Sequence, residues 1–242
     1  MEEPSRAGML KSHKKEFYMT RHFGKVLLGV AVLAGMAIAV RPASASTLVY
    51  AQNPDFNGAY SSQNDTTGGN GNFATAYDNF TLGSTTSISS VEWIGSYFNP
   101  PARGNITGWT LNIYSDNAGI PGGLLYTTGD VAGTAGETFL EIDNVGDPAY
   151  LYGLPVSFTA SAGTQYWMSL VPDVGFPPQW GWETGTGGDG AAYQCFVGTC
   201  GAIPNDLSFA LFANSSVPEP SSVLLLVTAL GAFGLIAHKK LV

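Results

Sequence analysis

A pair of carboxylates at a suitable separation is enough to hydrolyse a glycosidic bond, one as acid and the other as nucleophile or base. Between Ser46 and Ala213 the chain offers Glu92, Glu137, Glu141 and Glu183 for such a pair. Acidic residues on strands more often serve solvation alone, and nothing in the spacing of these four marks a catalytic dyad. The segment "EIDNVGD" gathers Glu141, Asp143, Asn144 and Asp147 within seven residues, hard oxygen donors of the kind Ca²⁺ prefers. It lacks the EF-hand loop pattern and also reads as a strand running into a turn. Trp180 and Trp182 in "QWGWET" are separated by a single Gly, so in a strand they share a face. There they form a flat platform for a sugar ring, or else they join Trp93, Trp109 and Trp167 in a core with few Leu and Ile. Cys195 and Cys200 in "CFVGTC" are the only cysteines. In an exported protein their simplest state is a disulfide closing a short loop, with a redox or metal pair as the other reading.

What is missing excludes as much as what is present. His13, His22 and His238 all lie outside the 46–213 segment, which also contains no Lys. Ser-His-Asp and Cys-His catalysis, His-ligated zinc and Lys Schiff-base chemistry have no candidates there. No Gly-rich phosphate fingerprint leads from a strand into a helix, and the Gly pairs read as turns. The same segment holds one basic residue, Arg103, against fourteen Asp and Glu, a net charge of −13. Nucleic acid is excluded as a partner, because phosphate binding needs clustered Lys and Arg.

The elements that must position these residues are strands. "WTLNIY" places Trp109, Leu111 and Ile113 on one face, and "QYWMSLV" does the same for Tyr166, Met168 and Leu170, the period of two of a half-buried strand. Similar signals run through "SSVEWIGSYF", "TFLEID", "PVSFTA" and "LSFALFA". Between them lie turn-rich stretches such as "NDTTGGNGN", "SDNAGIPGG" and "AGTAG". No capped helical stripe and no internal repeat interrupts them. The expectation is one all-β domain over residues 46–213, a two-sheet antiparallel, jelly-roll-like sandwich, with a barrel as the alternative.

Two apolar segments flank that domain. Val26 to Val40 is fifteen uncharged residues after Arg21, His22 and Lys25, followed by "RPASAS". This is the layout of a secretory signal peptide, with Ala43 and Ala45 marking cleavage before Ser46 and residues 1–45 forming the n-region and signal helix. Met19 makes a more usual start for such a segment than Met1. At the other end, within residues 214–242, Pro220 to Ala237 is an eighteen-residue uncharged span followed by His238, Lys239 and Lys240. As a transmembrane helix it is roughly 27 Å long, enough to cross a bilayer core. The basic cluster sets a cytoplasmic C-terminus by the positive-inside rule. Pro218 and Pro220 fix their own backbone and push Val217 and Glu219 into extended conformations, so Pro218-Glu219-Pro220 presents straight chain to a processing enzyme.

That triplet, the apolar span and the terminal basic cluster resemble the PEP-CTERM sorting signal, also known as the ice-binding protein C-terminal domain. The resemblance covers Val217 to Val242, with His-Lys-Lys where Arg is common in the family. It implies export across the inner membrane of a Gram-negative bacterium. It further implies a membrane-anchored precursor, processing by an exosortase, and release to the cell surface or extracellular matrix. A second, looser similarity runs from Ala76 to Phe212 through "AYDNFTL", "ISSVEWIGSYF", "WTLNIYSDNAGIPGGLL", "AGTQYWMSLV", "WGWET" and "LSFALF". These look like a β-sandwich module often found upstream of such tails, which bears on fold more than on activity. The resulting expectation is a non-catalytic surface protein, structural, adhesive or exopolysaccharide-binding, with a secreted carboxylate-type glycoside hydrolase as the alternative.

Overall fold

The computed structural model describes residues 44–216. The expected signal segment up to Ala43, the Pro218-Glu219-Pro220 motif, the apolar span and the His238, Lys239 and Lys240 cluster lie outside the described residues. Fourteen strands and no helix occur among the described residues. In chain order they are β1 (Ser44–Ser61), β2 (Gln63–Asp65), β3 (Gly71–Thr81), β4 (Thr86–Phe98), β5 (Ile106–Asp116), β6 (Pro121–Ala132) and β7 (Thr138–Ile142). There follow β8 (Pro148–Ala160), β9 (Gln165–Val174), β10 (Gln179–Thr186), β11 (Ala192–Phe196), β12 (Thr199–Ile203), β13 (Asp206–Leu207) and β14 (Phe209–Ser216). Ala45 and Ser46, on either side of the expected cleavage point, fall within β1.

The strands form two seven-stranded, mostly antiparallel sheets. The first runs β13-β10-β1-β14-β4-β8-β7, with β10 also pairing β4, and the second runs β12-β11-β3-β2-β9-β5-β6, with β3 also pairing β9. A single parallel contact, Asn64 with Asp173, joins β2 to β9. The two inner faces close on one another in a sandwich-like arrangement, because alternate residues of each strand are apolar and have nowhere else to go.

Trp109, Leu111 and Ile113 of β5 and Tyr166, Met168 and Leu170 of β9 all enter the core, the faces that the alternation assigned them. At its centre the Trp109 ring packs against Trp93 at 4.8 Å, Tyr152 at 4.9 Å and Trp180 at 5.0 Å. Large aromatics supply the burial that a core with few Leu and Ile otherwise lacks. β9 is buried on its other face too, through Trp167, Ser169 and Val171, with Trp167 packed edge-on against Tyr193 and the Ser169 hydroxyl 3.4 Å from that of Tyr114.

β1 runs unbroken through "NPDFNG", a stretch of turn-forming residues. The Pro54 to Ala59 stretch is a register shift against β10, with Phe56 at φ 54°. A bulge absorbs the turn-forming residues without ending the strand. At the far edge of the second sheet β11 and β12 form a hairpin whose two-residue loop, Val197 and Gly198, has φ of 47° and 81°. Positive φ at both positions is the primed turn that suits the twist of paired strands.

Candidate functional site

The four glutamates considered for catalysis do not form a pair around an open cleft. Glu92 and Glu141 are exposed on β4 and β7. Glu137, in the turn before β7, has its side chain 2% exposed and is ion-paired with Arg103. It also accepts the hydroxyls of Tyr97 at 2.5 Å and Tyr152 at 3.0 Å. Burial and the Glu137 carboxylate together push the Tyr97 phenol far above its ordinary range. Arg103, the only basic residue in the described region, is therefore spent on neutralising one carboxylate.

Glu183 of β10 is fully buried, 0% exposed. Burial pushes its carboxyl up to about 8, with the Ser96 hydroxyl acting in the opposite direction and Asp143 and Asp55 adding to the rise. A similar state holds at Asp78 of β3, which burial raises to about 8 despite amides donated by Leu207 and Asn79.

Trp180 and Trp182 do share a face, but it is the inner one. Both are 0% exposed, with Trp180 donating to Tyr152 at 3.2 Å and Trp182 to the Ser208 carbonyl at 2.8 Å. The sugar platform is thereby overturned: β10 lies inside its sheet, bonded on both sides, and its apolar face belongs to the core. The calcium set Glu141, Asp143, Asn144 and Asp147 is not drawn together either. Glu141 points to solvent, and the Asn144 amide turns onto Asn57 and the Asp55 carbonyl. One Asp143 oxygen takes the turn amides of Val145, Gly146 and Asp147 instead of a cation. Among the described residues no group of three or more acidic, His or Cys side chains stands ready to hold a metal. Cys195 and Cys200 are disulfide-bonded, facing each other across the β11 and β12 hairpin.

The feature that sequence did not single out is a depression of about 230 Å³ on the outer face of the second sheet. Asn64, Asn72, Thr75, Tyr77, Thr110 and Asn112 line it, closed by Tyr114, Val171 and Asp173. Strand pairing explains the assembly. Tyr77 of β3 and Asn112 of β5 both stand opposite Ser169 of β9, so the outward residues of three strands form ranks across the sheet. A register shift between β2 and β3 brings Asn72 to the same face as Thr75, whose hydroxyl donates to it at 3.2 Å. Asn64 donates to Asp173 at 2.6 Å, and Tyr77 meets Tyr114 edge to face at 5.5 Å. The floor is rigid, since Ser169 is fully buried and Trp167 is pinned to Asp116 at 2.8 Å. Outward Asn, Thr and Tyr on strands look like ordinary solvation in sequence, and only the register shows that they converge.

At one end of the sandwich Phe73 packs edge-on against Phe176 and Phe196 at 6.1 and 6.0 Å, lining a second hollow of about 320 Å³. The chain has no match among protein-family models, curated proteins or solved structures.

Proposed function

We propose that this is an exported surface or matrix protein whose sandwich is non-catalytic and binds a polysaccharide on the outer face of its second sheet. The observation that carries the reading is the depression between Tyr77 and Tyr114, where amide, hydroxyl and carboxylate groups surround two half-buried aromatic rings. Sugars offer hydroxyls to such polar groups and C–H faces to such rings. The polysaccharide is neutral, because a domain of net charge −13 with Asp173 in the depression repels a uronate-rich chain. The two mostly antiparallel sheets support a sandwich of the kind expected of the upstream module that the sequence resembles.

Delivery belongs to the same proposal. The segment before Ser46 directs export, the tail anchors the precursor in the membrane, and an exosortase-type enzyme acts at Pro218-Glu219-Pro220 to release the domain to the surface. The non-catalytic reading draws support from Glu137 and Glu183, the two buried glutamates, being committed to internal partners.

The test is a glycan array carrying neutral, amine-bearing and uronic oligosaccharides, probed with the full chain. Neutral oligosaccharides bind, and Tyr114→Ala weakens binding about tenfold with an unchanged circular dichroism spectrum. A null result across the whole array removes the binding claim and leaves a structural role. Mass spectrometry of the mature C-terminus tests sorting, and Val242 intact on most molecules would sink it.

A further inference from the structure

Three phenylalanine rings meet at one end of the sandwich without stacking on one another. Phe176 and Phe196 stand at 72° and 75° to Phe73, with ring centroids 6.1 and 6.0 Å from it. Together with Asn70, Gln179 and Val197 they line the hollow of about 320 Å³. Phe176 and Phe196 stay 37% and 41% exposed, so the hollow opens to solvent with aromatic surface uncovered. Its walls are fixed in advance. Phe196 pairs with Ala74 of β3 and Thr199 of β12, and the Val197 amide donates to the Phe73 carbonyl at 2.7 Å. The Cys195 and Cys200 bridge closes the hairpin beside the ring. The Phe176 amide donates to Asp65 at 3.0 Å. Walls held in this way bind with little ordering cost.

The polar groups around the hollow are already committed. Gln179 Nε2 donates to Ser61 at 2.6 Å, and its Oε1 accepts from Asn99 at 3.1 Å. Asn70 Nδ2 donates to Asp65 at 2.7 Å. A ligand rich in hydroxyls, or a primary ammonium with its three N–H donors, is poorly matched by such walls. Charge is the second constraint. Asp65 is buried and accepts the backbone amides of Asn70 and Phe176, two residues of the wall. Amide donors, that of Gly68 foremost, keep it ionised. Among the described residues the only basic side chain, Arg103, is ion-paired with Glu137.

We propose that this hollow binds a quaternary ammonium group on a molecule of net positive charge, choline being the simplest example. Such a group has no N–H to satisfy and offers methyl groups to the rings. Its charge is attracted by ring faces within about 6 Å and by the Asp65 carboxylate behind them. The net charge of −13 over residues 46–213 concentrates a cation near the domain and disfavours molecules in which a phosphate accompanies it. The hollow shares no lining residue with the depression between Tyr77 and Tyr114, so the two readings stand or fall separately.

The experiment is saturation-transfer NMR on the full chain with three probes: choline, its uncharged analogue with carbon in place of nitrogen, and phosphocholine. Choline binds saturably with a dissociation constant on the order of 10⁻³ M, the uncharged analogue at least about tenfold more weakly, and phosphocholine more weakly than choline. Phe176→Leu and Phe196→Leu keep apolar bulk at exposed positions but remove the ring face. Each weakens choline about threefold or more and leaves the uncharged analogue within about twofold, with an unchanged circular dichroism spectrum. No saturable choline signal overturns the proposal, as does equal affinity for choline and the uncharged analogue. Choline affinity unchanged in both Leu variants places the site elsewhere and overturns it too. Phosphocholine binding as tightly as choline overturns the assignment to a free cation and points to a lipid headgroup instead.

Discussion

Gly95 lies flat against the Trp180 indole: a β-carbon at Gly95 would stand 2.1 Å from Cζ2 of that ring and 2.7 Å from the Gly181 carbonyl. The ring has no room to withdraw, since Trp109 packs on it at 5.0 Å and its Nε1 donates to Tyr152. Gly95→Ala therefore costs about 3 kcal/mol or more, the upper range for overpacking a filled core. Urea unfolding checks this, and near-ultraviolet circular dichroism should show disturbed tryptophan packing. A loss below about 1 kcal/mol would mean that the two strands separate more easily than their pairing suggests.

Asp65 holds the loop after β2 as an anion. Its oxygens accept the amides of Thr67, Gly68 and Asn70 at 3.0, 2.8 and 3.1 Å, the Asn70 side chain at 2.7 Å, and Phe176 from the far side at 3.0 Å. Those amides hold its carboxyl well below the usual carboxylate range. Asp65→Asn puts a donor among donors and is expected to cost about 2–4 kcal/mol in chemical denaturation. Equal stability of the two proteins would show that the loop is held by other contacts.

Stability should fall as pH rises from about 4 to 8. Asp78 and Glu183 are each raised to about 8 in the folded protein, whereas in the unfolded chain they titrate near 4. Within that window the folded state keeps protons that unfolding releases, so each group takes away up to about 1.4 kcal/mol per pH unit. Asp65 works in the opposite sense, its contribution being complete above about 4 and lost on further acidification. The maximum stability should thus lie near pH 4–5. Unfolding free energies measured from pH 3 to 9 decide the matter, and a rise between pH 5 and 8 contradicts the burial of these two acids.

The Cys195 and Cys200 bridge should matter locally. It closes a short hairpin at a sheet edge, so the loop-entropy argument limits its contribution to about 2 kcal/mol. The double Cys→Ser variant should fold, with faster amide exchange confined to residues 192–203. Global unfolding of that variant would show that the hairpin organises more than its own edge.

Val197 is a β-branched residue at φ 47° and 69% exposed, a costly conformation for its side chain with no packing in return. Val197→Asn creates the Asn-Gly pair that primed turns favour and should raise stability by about 1 kcal/mol, read as an increase in Tm. A decrease would mean that the exposed Val side chain contributes contacts that its burial does not reveal.

How far sequence reading reaches depends on the physics being read. Trp109, Leu111 and Ile113 announce their face because alternation is local, and the two-sheet all-β arrangement follows from several such runs. The bulge at Pro54 to Ala59 is hidden, because residues that end a strand in one context merely offset it in another. Trp180 and Trp182 illustrate a different limit: sequence places them on one side of a strand but does not say which side is covered. The depression draws residues from β2, β3, β5 and β9, and the Glu183 carboxyl is raised in part by Asp143, forty positions away. Both depend on register between strands, which no local pattern encodes.

The last described strand has a mechanical meaning. β14 lies between β1 and β4, inside its sheet, with Phe209 to Phe212 in register against Trp93 to Ser90 and a shift before Ala213 meets Ile88. A load applied beyond Ser216 along the strand must shear two ladders of hydrogen bonds at once, whereas a strand at the rim would peel away one bond at a time. A strand seated in this way resists being drawn out of its sheet from the C-terminal side.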